Sequence, residues 1–327
     1  MMDAESGVSC SVRRNYPFPG CLQIPSIDFR GYHSISPNEE FLVGWQDADY
    51  RSWRSGPFRA GFRASGMGRV IVLRRASICW VRDLERPNDG EITDTGHAVI
   101  NDWQFGNGLK GTFYCFSPQG KTLVRATFRA NLWKPSIAAD ASLAWCRTLA
   151  SDVVEDSGKL IVFSLRPPCQ CVKISPRRLE ILGIRHVDSG VALDTATVPY
   201  IYDWDGTLRN AAEAERAEEL FVSEHGHAFE RLALAEERLK LRPPQAMDLE
   251  EIAWVTSLLQ HVAQESKWQY LAARAERRLG EIVLITGGKR KALAHFRAAL
   301  LLDPKVGVKR LAASLEREMG CERVGDE

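Results

Sequence analysis

The chain has no stretch among its 327 residues that approaches the ~18–20 uninterrupted apolar residues needed to span a bilayer, so no membrane partner is expected. Its first residues, Met1 to Val12, are largely polar and lack the apolar segment of a secretory signal, so we expect a cytoplasmic protein. No charge excess exists either: 43 Lys and Arg face 42 Asp and Glu. That balance argues against nucleic acid, whose binding calls for a concentrated basic face. The eight cysteines include no C-x-x-C pair, and reduced, mostly buried thiols are expected. Cys169 and Cys171 would share one side of a strand, but no second ligand pair follows, and neither a metal nor another cofactor is expected. P-loop, nucleophile-elbow and dinucleotide fingerprints are all missing.

What is present changes character near residue 208. The first thirty-odd residues, with Pro17, Pro19, Pro25 and several glycines, predict an arm over 1–33 laid along the surface. From 34 to 208, short runs rich in Val, Ile, Phe, Tyr and Trp alternate with Gly, Pro, Asn and Asp, the pattern of strands and turns. Three hairpins are predicted: Val70–Leu73 with Ser77–Val81, Thr112–Phe116 with Thr122–Phe128, and Leu160–Leu165 with Cys169–Ile174. A strand–turn–strand frame begins at Ser34, Glu91 and Ser136, with a weaker copy at Arg185. Its spacing is close to the ~40–50 residue period of propeller blades. On that basis the region resembles a β-propeller with four blades, the alternative being an antiparallel sandwich.

From 209 to 327 the pattern is helical. Asn210–Leu241 is rich in Ala, Glu, Leu and Arg without proline, and predicts one helix ended by Pro243-Pro244. Asp248 is placed to cap the next helix, with Glu250 and Glu251 in its first turn and an apolar stripe of Ile252, Val255, Leu258, Leu259 and Val262. Further helices are predicted over Lys267–Ile285, Lys289–Leu302 and Val306–Met319.

Within this region Leu279, Gly280, Ala292, Phe296, Ala299 and Pro304 fall at the offsets of a tetratricopeptide repeat, while Glu276 and Val283 stand where that pattern has Trp and Tyr. The segment therefore resembles a tetratricopeptide repeat. The resemblance implies two closely approaching helices, with small residues at Gly280, Ala292 and Ala299 and Phe296 filling the gap. It also implies a protein or peptide partner, since such arrays present a surface to one. The predicted fold class is thus multidomain β plus α, a propeller-like domain followed by a tetratricopeptide-like helical domain. The function it suggests is that of a non-enzymatic scaffold, with no catalytic residue assigned.

Three segments carry enzyme-like patterns. Arg86-Pro-Asn88-Asp89-Gly90, then Asn101-Asp102-Trp103 and Gly111–Lys121, resemble the gluconolactonase-type propellers, with Asn131 as a later counterpart of a metal-binding Asn. That resemblance implies a metal-dependent hydrolase on the β domain, in which a cation polarises a lactone carbonyl. The family's early Glu in an E-G-P context has no counterpart, nor does an Asp-Gly in the fourth blade. Arg86, Asn88, Asp89, Asp102, Trp103 and Asn131 remain the candidate binding residues. Asp203-Trp-Asp205-Gly206-Thr207-Leu208 resembles the haloacid-dehalogenase nucleophile motif, whose second motif would need a strand at Ile282–Thr286. The competing reading is a hairpin turn, since Asp-Gly is a common turn pair. Glu224-His225-Gly226-His227 places two imidazoles close together but has no further ligands at suitable spacing, and reads as a polar interruption near a helix turn rather than a zinc site.

Overall fold

A computed structural model describes residues 9–11, 21–48, 66–104, 109–175 and 177–322. The chain divides into two compact units, Met1–Asn210 and Ala211–Glu327.

The first unit is made of antiparallel meanders. Strands β1 (Ser9–Ser11), β2 (Cys21–Ile24), β3 (Phe29–Ile35), β4 (Phe41–Gln46), β5 (Gly68–Arg74) and β6 (Ser77–Leu84) form the first sheet in sequence order. The second holds β7 (Pro87–Ile92), β8 (Ala98–Gln104), β9 (Lys110–Phe116) and β10 (Thr122–Phe128). The third holds β11 (Leu132–Ile137), β12 (Leu143–Thr148), β13 (Leu160–Ser164) and β14 (Cys171–Ile174). Three strands, β15 (Gly183–Val187), β16 (Gly190–Asp194) and β17 (Tyr200–Asp203), make the fourth. The three hairpins read from the sequence are present as β5–β6, β9–β10 and β13–β14. The sheets, however, are not closed into a propeller: each pairs only within itself.

The second sheet is apolar on both faces, which its period-two alternation explains. Ala98, Ile100 and Phe116 pack with Val43, Trp45, Val70, Val72 and Trp80 of the first sheet. Val99, Phe113 and Cys115 pack with Leu132, Ala144, Cys146 and Ile161 of the third. Strand β7 lies against β3 and β4, and β11 against β7 and β8. One turn geometry recurs. Glu39, Gly96, Gly120, Ala141 and Gly206 each donate a backbone N–H three residues back, to Ser36, Thr93, Ser117, Ala138 and Asp203, with φ between 53° and 92°. Glycine suits that left-handed position, and at Gly96 and Gly120 a Cβ would also strike Phe41 and Trp80 at 2.7 and 2.8 Å.

Two sequence expectations need correction here. Part of the supposed arm over 1–33 is structural: Leu22, Ile24 and Phe29 are buried with Ile71 and Leu73 beneath the first sheet, because β2 and β3 alternate apolar residues inward. The rest, residues 1–8 and 12–20, lies outside the described residues. The thiols are also less buried than expected. Cys115 and Cys146 are buried, whereas Cys79, Cys169 and Cys171 are free and exposed.

The second unit holds α1 (Ala211–His225), α2 (Ala228–Leu241), α3 (Leu249–Glu265), α4 (Gln269–Ile285), α5 (Lys289–Leu302) and α6 (Lys309–Glu322). The long helix expected over Asn210–Leu241 is broken at Gly226-His227. Gly226 sits so tightly on the end of α1 that a Cβ would lie 2.5 Å from the Val222 carbonyl. The next helix then starts afresh, with the Glu230 carboxylate accepting the His227 backbone N–H at 2.8 Å. Asp248 does cap α3, its Oδ1 accepting the Glu251 N–H at 2.8 Å. Each helix packs on its sequence neighbour, α4 on α5 most extensively. Val255, Leu258, Leu259 and Val262 bury their stripe with Leu232, Leu271 and Leu279. Among the described residues no helix is long and apolar enough to cross a membrane.

Candidate functional site

The candidate residues of the β unit divide between the two faces of the second sheet. On the side of the first sheet, Arg86 and Asp47 form a two-pronged ion pair, Nε–Oδ1 3.1 Å and Nη2–Oδ2 2.7 Å. Both are buried, at 7% and 6% exposure. Asn88 donates its amide to Asp47 Oδ2 at 3.4 Å and accepts the Trp103 backbone N–H at 2.8 Å. Asp102 accepts the backbone N–H groups of Glu85 at 2.9 Å and Arg86 at 3.0 Å. Burial drives the Asp102 carboxyl up to about 6, against those two amides and with the charges of Glu85 and Asp47 adding to the rise.

Toward the third sheet the register places Asp89 opposite Asn101 and Glu91 opposite Val99. Asp89 accepts the N–H of Gly90 at 2.8 Å. Burial raises its carboxyl above the usual range, while Lys134 on β11 pulls it back. Glu91 is raised by burial too, against a hydrogen bond from Ser136. Asn101 is completely buried with no partner for either amide atom, and the buried Oδ1 of Asn131 also has none.

Arg86, Asn88 and Asp102 are thus brought together around Asp47, and Trp103 joins them through its backbone N–H; the Trp103 ring packs toward the third sheet, in the opposite seam with Asp89 and Asn131. The cluster is framework: the Asn88 amide, both Asp47 oxygens and both Asp102 oxygens are engaged. Among the described residues no group of three or more His, Cys, Asp and Glu is placed to hold a metal ion. Asp47 was not singled out by sequence reasoning. Asn101 stood in the motif beside Asp102 and Trp103, but only the strand register sets it opposite Asp89.

The segment at Asp203 is a hairpin turn. Asp203 donates its backbone N–H to Thr207 at 2.9 Å, Gly206 donates to Asp203 at 3.0 Å, and Thr207 donates to Asp205 Oδ1 at 2.8 Å. Ile282–Ile285, which the phosphatase reading needs as a strand, lies in α4. Helix wins there because Leu279 and Ile282 continue a stripe buried against α3.

In the helical unit, Leu279, Gly280, Ala292, Phe296 and Ala299 are all buried, and Pro304 follows the end of α5. A Cβ on Gly280 would stand 2.5 Å from the Phe296 ring, so the missing side chain is what lets α4 and α5 approach. On the outside, Trp268 and Tyr270 are 64% and 51% exposed at the head of α4, their rings 6.4 Å apart. No protein-family model matches the chain, and neither does any curated protein.

Proposed function

We propose that the chain is a non-enzymatic interaction protein whose tetratricopeptide-like helical unit holds a protein or peptide partner. The observation that carries this reading is the exposed aromatic pair Trp268 and Tyr270. Tyrosine and tryptophan join large contact area to low side-chain entropy, which is why they anchor interfaces. Helices packed in sequence order around Gly280 and Phe296 give that pair a rigid support. In the same reading the first unit is an open row of blade-like sheets offering a second surface, since the blade frame recurs and β7 lies between β4 of the first sheet and β11 of the third.

The test is quantitative affinity capture with the full-length protein and its Trp268→Ala/Tyr270→Ala variant. Both positions are exposed, so the variant is expected to keep the parent melting temperature. The reading requires captured proteins that the variant loses by roughly tenfold or more, as the removal of an anchor residue does. An identical set bound equally well by both would sink it.

A further inference from the structure

One end of the helical unit gathers exposed aromatic and cationic side chains from three segments. Helices α4 and α5 run antiparallel, pinned where His295 Nδ1 meets Glu276 Oε2 at 2.7 Å. Tyr270 lies six residues before Glu276 and Leu301 six after His295. The helical rise carries both about 9 Å toward the same end. The connection from α5 to α6 returns there. Val306 and Val308 are buried with Ala273, one turn from Tyr270, and Arg277 Nη1 donates to the Val306 carbonyl at 2.9 Å.

Trp268, Tyr270 and Leu301 are 64%, 51% and 88% exposed. Exposed with them are Lys267 beside Trp268, Lys305 in the connection, and Lys309 and Arg310 at the start of α6. The side chains of these four cations have no hydrogen-bond or ion-pair partner among the described residues. Nearby carboxylates are engaged elsewhere. Glu265 accepts from Arg231 of α2 at 3.1 Å, Asp303 accepts the Lys305 backbone N–H at 2.8 Å, and Glu276 meets His295. The first turn of α6 holds no acidic residue, although the helix dipole favours one there. Nothing within α6 accounts for two cations at that position.

We infer that the partner held at this end is an acidic protein segment carrying apolar side chains, which rests on the helical unit being an interaction module. Its carboxylates pair with Lys267, Lys305, Lys309 and Arg310, while its apolar side chains cover Trp268, Tyr270 and Leu301. An apolar centre with a charged rim is the common anatomy of a protein interface, and complementary charge selects the partner. Lipid is the weaker fit. A helix that lies on a bilayer exposes an apolar face along its length, whereas α4 and α5 bury theirs inside the unit.

Selection of a random peptide-display library on the full-length protein tests this, followed by anisotropy titration of the most enriched peptide. Enriched peptides should carry more Asp and Glu than the input library, together with Leu or aromatic residues, and should bind less tightly as salt rises. Lys305→Gln/Lys309→Gln/Arg310→Gln should weaken binding by roughly tenfold or more, as loss of charged contacts does. Lys305→Gln alone, at an exposed site, keeps the test valid if the triple variant misfolds. Arg290→Gln/Lys291→Gln removes two exposed cations at the opposite end of α5 and should leave binding unchanged. The inference is overturned if nothing is enriched, if the cation variants bind like the parent, or if the Arg290/Lys291 control weakens binding equally. Peptides without acidic bias that Trp268→Ala/Tyr270→Ala loses would overturn it too, yet leave the interaction role standing. Sedimentation with phosphatidylserine vesicles, lost in the cation variants while no peptide is enriched, would assign the surface to lipid instead.

Discussion

Among the described residues, the sheets bury Asp47, Arg86, Asn101 and Asp102 in their seams, whereas the helices bury one polar side chain, Glu218. The helices keep their ion pairs on the rim instead, as with Arg277 and Arg278 on Glu281, and Arg297 on Glu316. Exposed pairs of that kind contribute little to stability. The helical unit therefore rests on shape and apolar burial, while the sheets must also satisfy polar partners as they pack. The difference lies in how the elements meet. Helices interlock side chains around a gap, as Gly280 and Phe296 do, but the seams between sheets bring strand ends and their unpaired backbone groups inside.

The comparison can be broken at its strongest point first. Phe296→Ala should cost about 3–5 kcal/mol, the usual loss for a buried phenylalanine, and the loss should fall on the helices. Hydrogen exchange should show protection lost in α4 and α5 and kept in β8 and β9. Equal loss in the sheets would mean that the two units are not separately stabilised.

Next comes the buried pair. Arg86→Met strands the Asp47 carboxylate and should cost about 3–5 kcal/mol, whereas Arg86→Met/Asp47→Leu should recover much of that. Urea denaturation of both variants checks it. A double variant as unstable as the single one would show that Asp47 costs nothing when alone.

The third effect is smaller and depends on pH. The folded Asp102 carboxyl, near 6, holds its proton more tightly than the ordinary value of 3.8. This group therefore removes stability as pH rises from about 4 to 6, by about 3 kcal/mol at most, and is constant above. Other carboxyls titrate in the same window. The Asp102→Asn variant isolates this one, and its stability relative to the parent should rise across that window. A gap independent of pH between 4 and 7 would place the proton elsewhere.

Much of the architecture was legible in the sequence because it is local. The hairpins at Ser117–Gly120 and Pro167-Pro168 carry their own turn residues, and α5 was readable over its full length. The break at Gly226-His227 showed only as a polar interruption, since a single glycine amid good helix formers differs little from one tolerated inside a helix. The burial of Leu22 and Ile24 was not legible, since it depends on Ile71 and Leu73, far along the chain. The candidate site was half legible. A motif brought Arg86 and Asn88 into view, yet their partner Asp47 comes from another sheet.

Open sheets also leave edges. The strand ending each of the first three sheets, β6, β10 and β14, has one side of its backbone unpaired among the described strands. Each such strand carries a cation, Arg82, Arg125 or Lys173. Along β10, whose one charged residue is Arg125, two copies brought edge to edge would set like charges against each other before any ladder of hydrogen bonds could grow between them. A single arginine on that edge thus works against one molecule becoming a template for the next.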